Sequence, residues 1–301
     1  MDILKNRLWL VLALAAAGLS ARGADDPSKV DGATIRLSDR YDRPVELTEP
    51  ARRLVSLAPG VTETVFALGY GDRLIGRTPF CNYPPEAAEV PIAGNLMEPD
   101  LEVILRLDPD IVLASTHMTK EAVDRLDALG FTVGVFKGQN SFEGTYDGVI
   151  RPVAAVLGDA EAGERLVSEM QATVEAALEG ASRNTVRPRV YYAVGFGEGG
   201  DWTAGGDTFI GEMIEMAGGT NIAADVSGWS FSLELLVERD PDIILLPPWA
   251  AGQFESTPIY DDLRAVRSGR VYAVDEDVIS RQGPRLADGL AELVRIIGGR
   301  P

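Results

Sequence analysis

The chain has 301 residues, 46% hydrophobic and 25% charged, with a formal net charge of −18. That length suffices for two cores, since domains commonly run about 100–150 residues, and the composition excludes a disordered chain. The acidic balance argues against a nucleic-acid surface, which needs cations against phosphate; it suits a basic protein partner, or solubility in a salty medium.

Lys5 and Arg7 precede the apolar run LWLVLALAAAGL, and small residues from Ala21 to Ala24 follow it. This is the pattern of a secretory signal covering residues 1–23, because the run is shorter than the roughly 20 residues of a membrane span. Removing that segment, with three basic residues and one acidic, takes the formal charge from −18 to about −20. The single cysteine, Cys81, lies far beyond the signal. No lipid-attachment site and no intramolecular disulfide are therefore expected, and a soluble protein exported to the periplasm is.

Residues 34–47 read as a short hairpin, and Arg53–Leu57 as a strand stopping at Ala58, Pro59 and Gly60. A helix over Thr62–Leu68 ends at Gly69, a residue suited to a left-handed cap. Leu74–Gly76 is the next strand, followed by a loop over Thr78–Pro85. Then comes DLEVILRLDPDIVLA, starting at Asp100, which returns as SLELLVERDPDIILL at Ser232, 132 positions later. Each copy has a helix N-cap, Asp100 or Ser232, and a first-turn glutamate favoured by the helix dipole. An apolar helical face follows, then Asp-Pro-Asp where proline ends the helix, then a run of branched residues expected as a buried parallel strand. So wide a spacing implies two similarly built lobes, not neighbouring solenoid repeats. Glu102 and Glu234 would occupy equivalent places on them.

A helix over Thr119–Leu129 and a strand over Thr132–Phe136 complete the first lobe. From Asp159 to about Ala181 one helical pattern places Leu166, Met170, Val174 and Leu178 every four residues. It spans roughly 30 Å and resists bending more than a Gly/Ser linker would. The second lobe is read as strand Val190–Val194, helix Thr208–Met216, the second repeat unit, strand Val271–Val274 and a final helix over Pro284–Ile297. The expected fold is thus α/β: two Rossmann-like lobes, residues 24–157 and 183–301, joined by a rigid backbone helix at 158–182, with a ligand cleft between them.

Five segments in order carry a family resemblance: RLVSLAPGVTETVFALG, FCNYPPEA, LEVILRLDPDIVLAS, AGGTNIAAD and the second Asp-Pro-Asp unit. With the central helix, the chain resembles the helical-backbone (class III) periplasmic substrate-binding proteins of ABC importers. The first lobe, from Thr78 to Asp110, is most similar to the cobalamin binders. The resemblance implies a large ligand, cobalamin or a related corrinoid, clamped between lobes whose orientation barely changes and delivered by a monomer to a permease dimer with its ATPase subunits. Ferric siderophore and haem are the alternatives. By position it implies contacts from Ala58, Pro59, Gly60, Phe80, Tyr83, Leu96, Met97, Trp202, Trp229, Trp249 and Arg281. Leu96 stands where the cobalamin binders often carry an aromatic residue, so the first lobe offers fewer stacking faces, though Met97 suits a broad apolar contact. The same resemblance makes Glu102 and Glu234 permease-docking residues, each meeting an arginine on one subunit.

The residues read alone point the same way. Beyond the signal, every tryptophan lies in loop-like sequence of the second half, a placement better suited to a cleft than to a core. His117, the only histidine, follows a predicted strand at its cleft-facing end; it is either a solvent-facing residue or an axial ligand to cobalt or iron. One histidine excludes a usual multi-histidine metal site, and Cys81 reads as a shielded thiol.

Enzyme readings fare poorly. Gly195 to Gly200 matches G-x-G-x-x-G after a strand, but Asp-Trp-Thr-Ala-Gly-Gly follows, which cannot start the helix a pyrophosphate needs. A secreted hydrolase would need His117 in its triad and lacks a Gly-x-Ser-x-Gly elbow. Nothing singles out a glycosidase pair among the carboxylates. A binding protein without catalysis or resident cofactor is expected.

Overall fold

The computed structural model describes residues 34–197 and 200–299; the signal expected at 1–23 lies outside them. An antiparallel hairpin, β1 (Ile35–Ser38) and β2 (Pro44–Leu47), opens the first lobe. There follow β3 (Leu54–Ser56), α1 (Pro59–Ala67), β4 (Leu74–Arg77), α2 (Leu101–Leu107), β5 (Ile111–Leu113), α3 (Lys120–Ala128) and β6 (Val133–Gly134). Three helices, α4 (Phe142–Thr145), α5 (Arg151–Leu157) and α6 (Ala160–Ser182), lead to the second lobe. That lobe holds β7 (Arg189–Tyr192), β8 (Asp201–Trp202), α7 (Phe209–Met216), β9 (Thr220–Asn221), β10 (Ser230–Phe231), α8 (Leu233–Arg239) and β11 (Ile243–Leu246). It closes with α9 (Ala251–Ser256), α10 (Arg264–Arg267), β12 (Val271–Ala273), α11 (Glu276–Ser280) and α12 (Leu286–Ile297).

The two lobes share one topology. Their parallel sheets run β4-β3-β5-β6 and β9-β7-β11-β12, so in each the second strand lies outside the first, followed by the third and fourth. In such a sheet the crevice forms beyond the carboxyl ends of the first and third strands, where the strand order reverses. Each central strand is buried on both faces, which explains its continuous apolar run. Leu54, Ile111 and Leu113 point to one core while Val55, Val112 and Ala114 point to another. The second sheet alternates in the same way: Val190, Ile243 and Leu245 face one cluster, Tyr191, Ile244 and Leu246 the other.

The repeated unit is a clip between third and first strands. Asp100 accepts from the Val103 N–H at 3.0 Å and Ser232 from the Leu235 N–H at 3.2 Å, capping α2 and α8. Both helices stop one residue before the proline, at Asp108 and Asp240, which are left-handed with φ of 45° and 37°. Proline disfavours right-handed helix for the residue preceding it, and aspartate tolerates the left-handed alternative. The last aspartate of each motif then reaches the neighbouring strand: Asp110 accepts from the N–H groups of Arg52 and Arg53, Asp242 from that of Arg189.

Two expectations change. The first helix begins at Pro59, so Pro59 and Gly60 form its opening turn and not a loop; proline is favoured there because its missing N–H has no helical partner to lose. On α6 the buried face is Val167, Met170, Val174, Ala177 and Ala181, while Leu178 is exposed. A strict four-residue recurrence drifts about 40° per step around a helix of 3.6 residues per turn, whereas alternating steps of three and four hold one face. Against that face packs α12, so closely that a Cβ on Gly180 would lie 3.2 Å from Val294.

Residues 142–157, counted in the first lobe by the sequence but given no element there, join the lobes through side chains. Phe142, Tyr146 and Ile150 belong to the core of the second lobe, with Phe142 edge-on to Phe209 at 5.2 Å. Val149, Val153 and Leu157 belong to that of the first. A π-helical turn over Tyr146–Ile150 lets one segment serve both. Gly148 permits its close approach to the segment that follows β6, since a Cβ there would lie 2.3 Å from the Lys137 carbonyl oxygen.

Candidate functional site

A cleft of about 640 Å³ lies between the lobes. The first lobe contributes the carboxyl ends of β3 and β5, namely Ala58, Pro59, Gly60 and Ser115, Thr116, His117, together with Phe80, Leu96, Phe136, Lys137 and Asn140. The second contributes Asp207 to Ile210 at the start of α7, Gly228 with Trp229, and Asp277 with Ile279 to Gln282 around the end of α11. Val149, from the bridging segment, also lines it. The lining mixes apolar side chains with hydroxyl and amide groups.

The Trp229 loop is held by Asp207, which accepts from the Gly228 N–H at 2.7 Å and from the Ser227 hydroxyl. Those two bonds hold the Asp207 carboxyl below the ordinary aspartate range. Asn140 donates across the cleft to the Asp207 carbonyl at 3.1 Å, and Gln282 to that of Gln139 at 3.1 Å.

Beside these bonds sits an ion cluster that crosses between the lobes. Glu63, on α1, accepts from Arg281 Nη1 at 3.0 Å and from Arg285 at 2.7 and 2.9 Å. Their side chains are 2%, 10% and 17% exposed, respectively. Arg281 also pairs with Asp277 at 2.6 Å and donates to Asn82 at 2.8 Å. Arg285 stacks over the Tyr83 ring at 3.9 Å. At the same seam a Cβ on Gly60 would sit 2.3 Å from the Gln282 carbonyl oxygen, so only glycine allows this approach.

His117 is exposed on the cleft wall, with Nδ1 3.2 Å from the Ser115 hydroxyl, which also accepts the His117 N–H at 3.1 Å. If Nδ1 carries the proton and donates to Ser115, Nε2 keeps a lone pair for a metal. If Ser115 donates instead, Nε2–H is a hydrogen-bond donor. Lys137 is the second exposed cationic candidate on the wall.

Of the eleven ligand positions expected from the sequence, the cleft brings together Ala58, Pro59, Gly60, Phe80, Leu96, Trp229 and Arg281. Tyr83, Met97, Trp202 and Trp249 are not on its wall. Tyr83 lies under Arg285. Trp202, expected in a loop, is in β8 opposite Ser230 of β10, a two-residue pairing too short to leave a periodic signal. Trp249 follows β11 and is 65% exposed. Arg281 meets the opposite lobe's Glu63 besides reaching the cleft, so its charge already has partners. Phe136, Lys137, Asn140, Thr208, Phe209 and Gln282 were missed. Phe136 ends a predicted strand and Lys137 follows it, so the crevice rule applied to every strand end points to both.

Glu102 and Glu234 lie away from the cleft, both exposed in the first turns of α2 and α8. Cys81 is buried, its sulfur 3.3 Å from Thr78 Oγ1. The glycine-rich run leads into β8 and not into a helix.

Known proteins share this architecture. The chain is 30% identical, over 96% of each sequence, to the uncharacterized ABC transporter substrate-binding lipoprotein YvrC of Bacillus subtilis. It is 32% identical to a cobalamin-binding protein of Halobacterium salinarum, covering 85% of this chain and 72% of that one. Among solved structures, the apo periplasmic heme-binding protein RhuT of Roseiflexus sp. RS-1 superposes with a TM-score of 0.76 at 30% identity, over 83% of this chain and 98% of the other. The profile of the family described as "Periplasmic binding protein" matches residues 54–278. With two parallel α/β lobes, a backbone helix and a cleft at their shared strand ends, the chain belongs to the periplasmic binding protein family.

Proposed function

We propose that this protein captures cobalamin or a related corrinoid between its lobes and carries it to an ABC importer, making and breaking no bond. The observation that carries this reading is the lining of the cleft. The apolar side chains Phe80, Leu96, Phe136, Phe209 and Trp229 in that lining suit a flat macrocycle, and Ser115, Thr116, Asn140, Thr208 and Gln282 suit neutral amide substituents. The similarity to the cobalamin-binding protein of Halobacterium salinarum supports the same ligand. A second reading, haem, is favoured by His117 and Lys137, which match an iron and a propionate, and by the likeness to RhuT. A ferric siderophore is the remaining alternative, with the same cations meeting its acidic groups.

The lobes, residues 24–157 and 183–301, would follow a signal removed after residue 23, leaving the protein free in the periplasm. The burial of the sole cysteine, Cys81, within the fold supports the unanchored reading. Glu102 and Glu234 are the docking points, each meeting an arginine on one subunit of a two-fold permease. Two equivalent acidic points on a two-lobed monomer complement such a partner.

The test is a visible spectrum of protein purified from its host, then calorimetric titration with cyanocobalamin, haemin and a ferric siderophore. Saturable one-to-one binding of cyanocobalamin is expected. Tighter binding of haemin, with a shifted haem absorption band that His117→Ala abolishes, replaces this reading with the second. Binding of none of the three refutes capture of a metal chelate.

A further inference from the structure

Along α2 and α8 the accessibility sequence is identical: intermediate, exposed, intermediate, buried, exposed, exposed, intermediate. Three positions of each helix are therefore open to solvent. The first is the glutamate, Glu102 or Glu234. The second is apolar in both copies, Leu105 at 52% exposure and Val237 at 48%. The third inverts its charge, from Arg106 to Glu238. A single exposed leucine needs no explanation, but here two of three open positions keep their chemistry while the third reverses it. Three residues apart on a helix, each apolar side chain lies on the same face as its glutamate, one turn along.

The second lobe enlarges this face. Ile259, half-exposed, shares a groove of about 460 Å³ with Leu233, Glu234 and Val237. Its φ of 82° is left-handed, an outlier for a β-branched residue. The next residue holds it there: Tyr260 is buried, donates to Asp201 at 2.9 Å and accepts from the Gly197 N–H at 3.1 Å. A strained residue thus keeps an apolar side chain beside Glu234.

We propose that Leu105 and Val237 are a matched pair of apolar docking contacts, each entering an apolar cup beside a cation on one subunit of the two-fold membrane partner, with Ile259 widening the contact of the second lobe. The proposal rests on the reading that Glu102 and Glu234 are the docking points. Charge complementarity at the glutamates sets the register, and the adjacent apolar surface is what water leaves when the faces meet.

The experiment uses the host's importer for the bound ligand, reconstituted in nanodiscs, with the concentration of binding protein that half-maximally stimulates ATPase as readout. Leu105→Ser and Val237→Ser are each expected to raise that concentration roughly three- to tenfold, and the double variant by about the product, with ligand affinity unchanged. Leu105→Cys and Val237→Cys, carrying a polarity-sensitive fluorophore while Cys81 stays buried, should both shift to the blue on mixing with the importer. If the double serine variant stays within about twofold of the parent and neither label shifts, while Glu102→Arg with Glu234→Arg abolishes stimulation, the apolar contacts fall and the glutamate reading stands. If that charge reversal leaves stimulation intact, the docking reading falls and this one with it.

Discussion

Replacing Glu63 by alanine is expected to loosen the two lobes by a measurable amount. The carboxylate accepts three charge-assisted bonds from the other lobe, at 3.0, 2.7 and 2.9 Å, and is 2% exposed. Removing one partner of a buried ion pair costs about 3–5 kcal/mol, chiefly because the remaining charge is left uncompensated in low dielectric. Arg281 retains Asp277 and Asn82, and both guanidinium groups keep some contact with water, which places the loss near the lower end, about 3 kcal/mol. In a chain of this size that corresponds to a fall in Tm of roughly 6–12 °C. Calorimetry of ligand-free protein measures it, and urea unfolding with an unchanged slope checks that stability and not compactness moved. A double-mutant cycle with Arg285→Ala should show a coupling of at least about 1.5 kcal/mol. A fall below about 2 °C, or no coupling, would mean that the cluster merely rides on an interface fixed by Phe142, Phe209 and the α6–α12 packing.

Trp229→Ala is expected to weaken ligand binding about ten- to thirtyfold, as loss of a buried aromatic anchor does, whereas Trp249→Ala should leave it unchanged; equilibrium titration reporting the reverse would move the ligand out of this cleft. Asp201 gives a pH prediction. Its carboxyl is pushed above the ordinary range by burial and by the nearby charge of Glu234, against the hydrogen bond from Tyr260. The folded protein therefore takes up this proton before the unfolded chain does, so the ionised group costs stability at neutral pH and the cost vanishes as pH falls through the raised value. Asp201→Asn, which still accepts from Tyr260, should be more stable than the parent at pH 7, and the difference in urea midpoint should shrink by pH 4. A constant or widening difference would contradict the sign.

Much of the fold was legible because its signals are local. A cap is a bond across three residues, so the windows at Asp100, Asp159 and Ser232 contained both donor and acceptor, and the structure has all three. Burial on both faces of a parallel sheet wrote itself as apolar runs at Ile111 and Ile243, and the duplication carried the shared topology. The bridging segment was not legible: its two glycines, proline and π-helical turn blur a 3.6-residue period, and its burial depends on which lobe each turn meets.

The site divides along the same line. Strand ends are sequence features, so His117 could be placed at the cleft from the sequence alone, while Ala58 to Gly60 are placed there by the family resemblance. Which aromatic side chain faces the cleft is not such a feature: Trp202, Trp229 and Trp249 read alike, and only the pairing of β8 with β10 and the Asp207 clamp on the Gly228 turn separate them. Glu63 shows the limit most plainly. In its helix it is one acidic residue among apolar ones, while its partners lie 218 and 222 positions away. By itself the sequence determined the capped helices, the central strands and the two-lobe plan, because hydrogen bonds and hydrophobic periodicity act within a few residues, and its ordered motifs carried the family. Only the tertiary structure decided which charges neutralise one another across the lobes and which rings line the cleft, because those depend on distances that no local window contains.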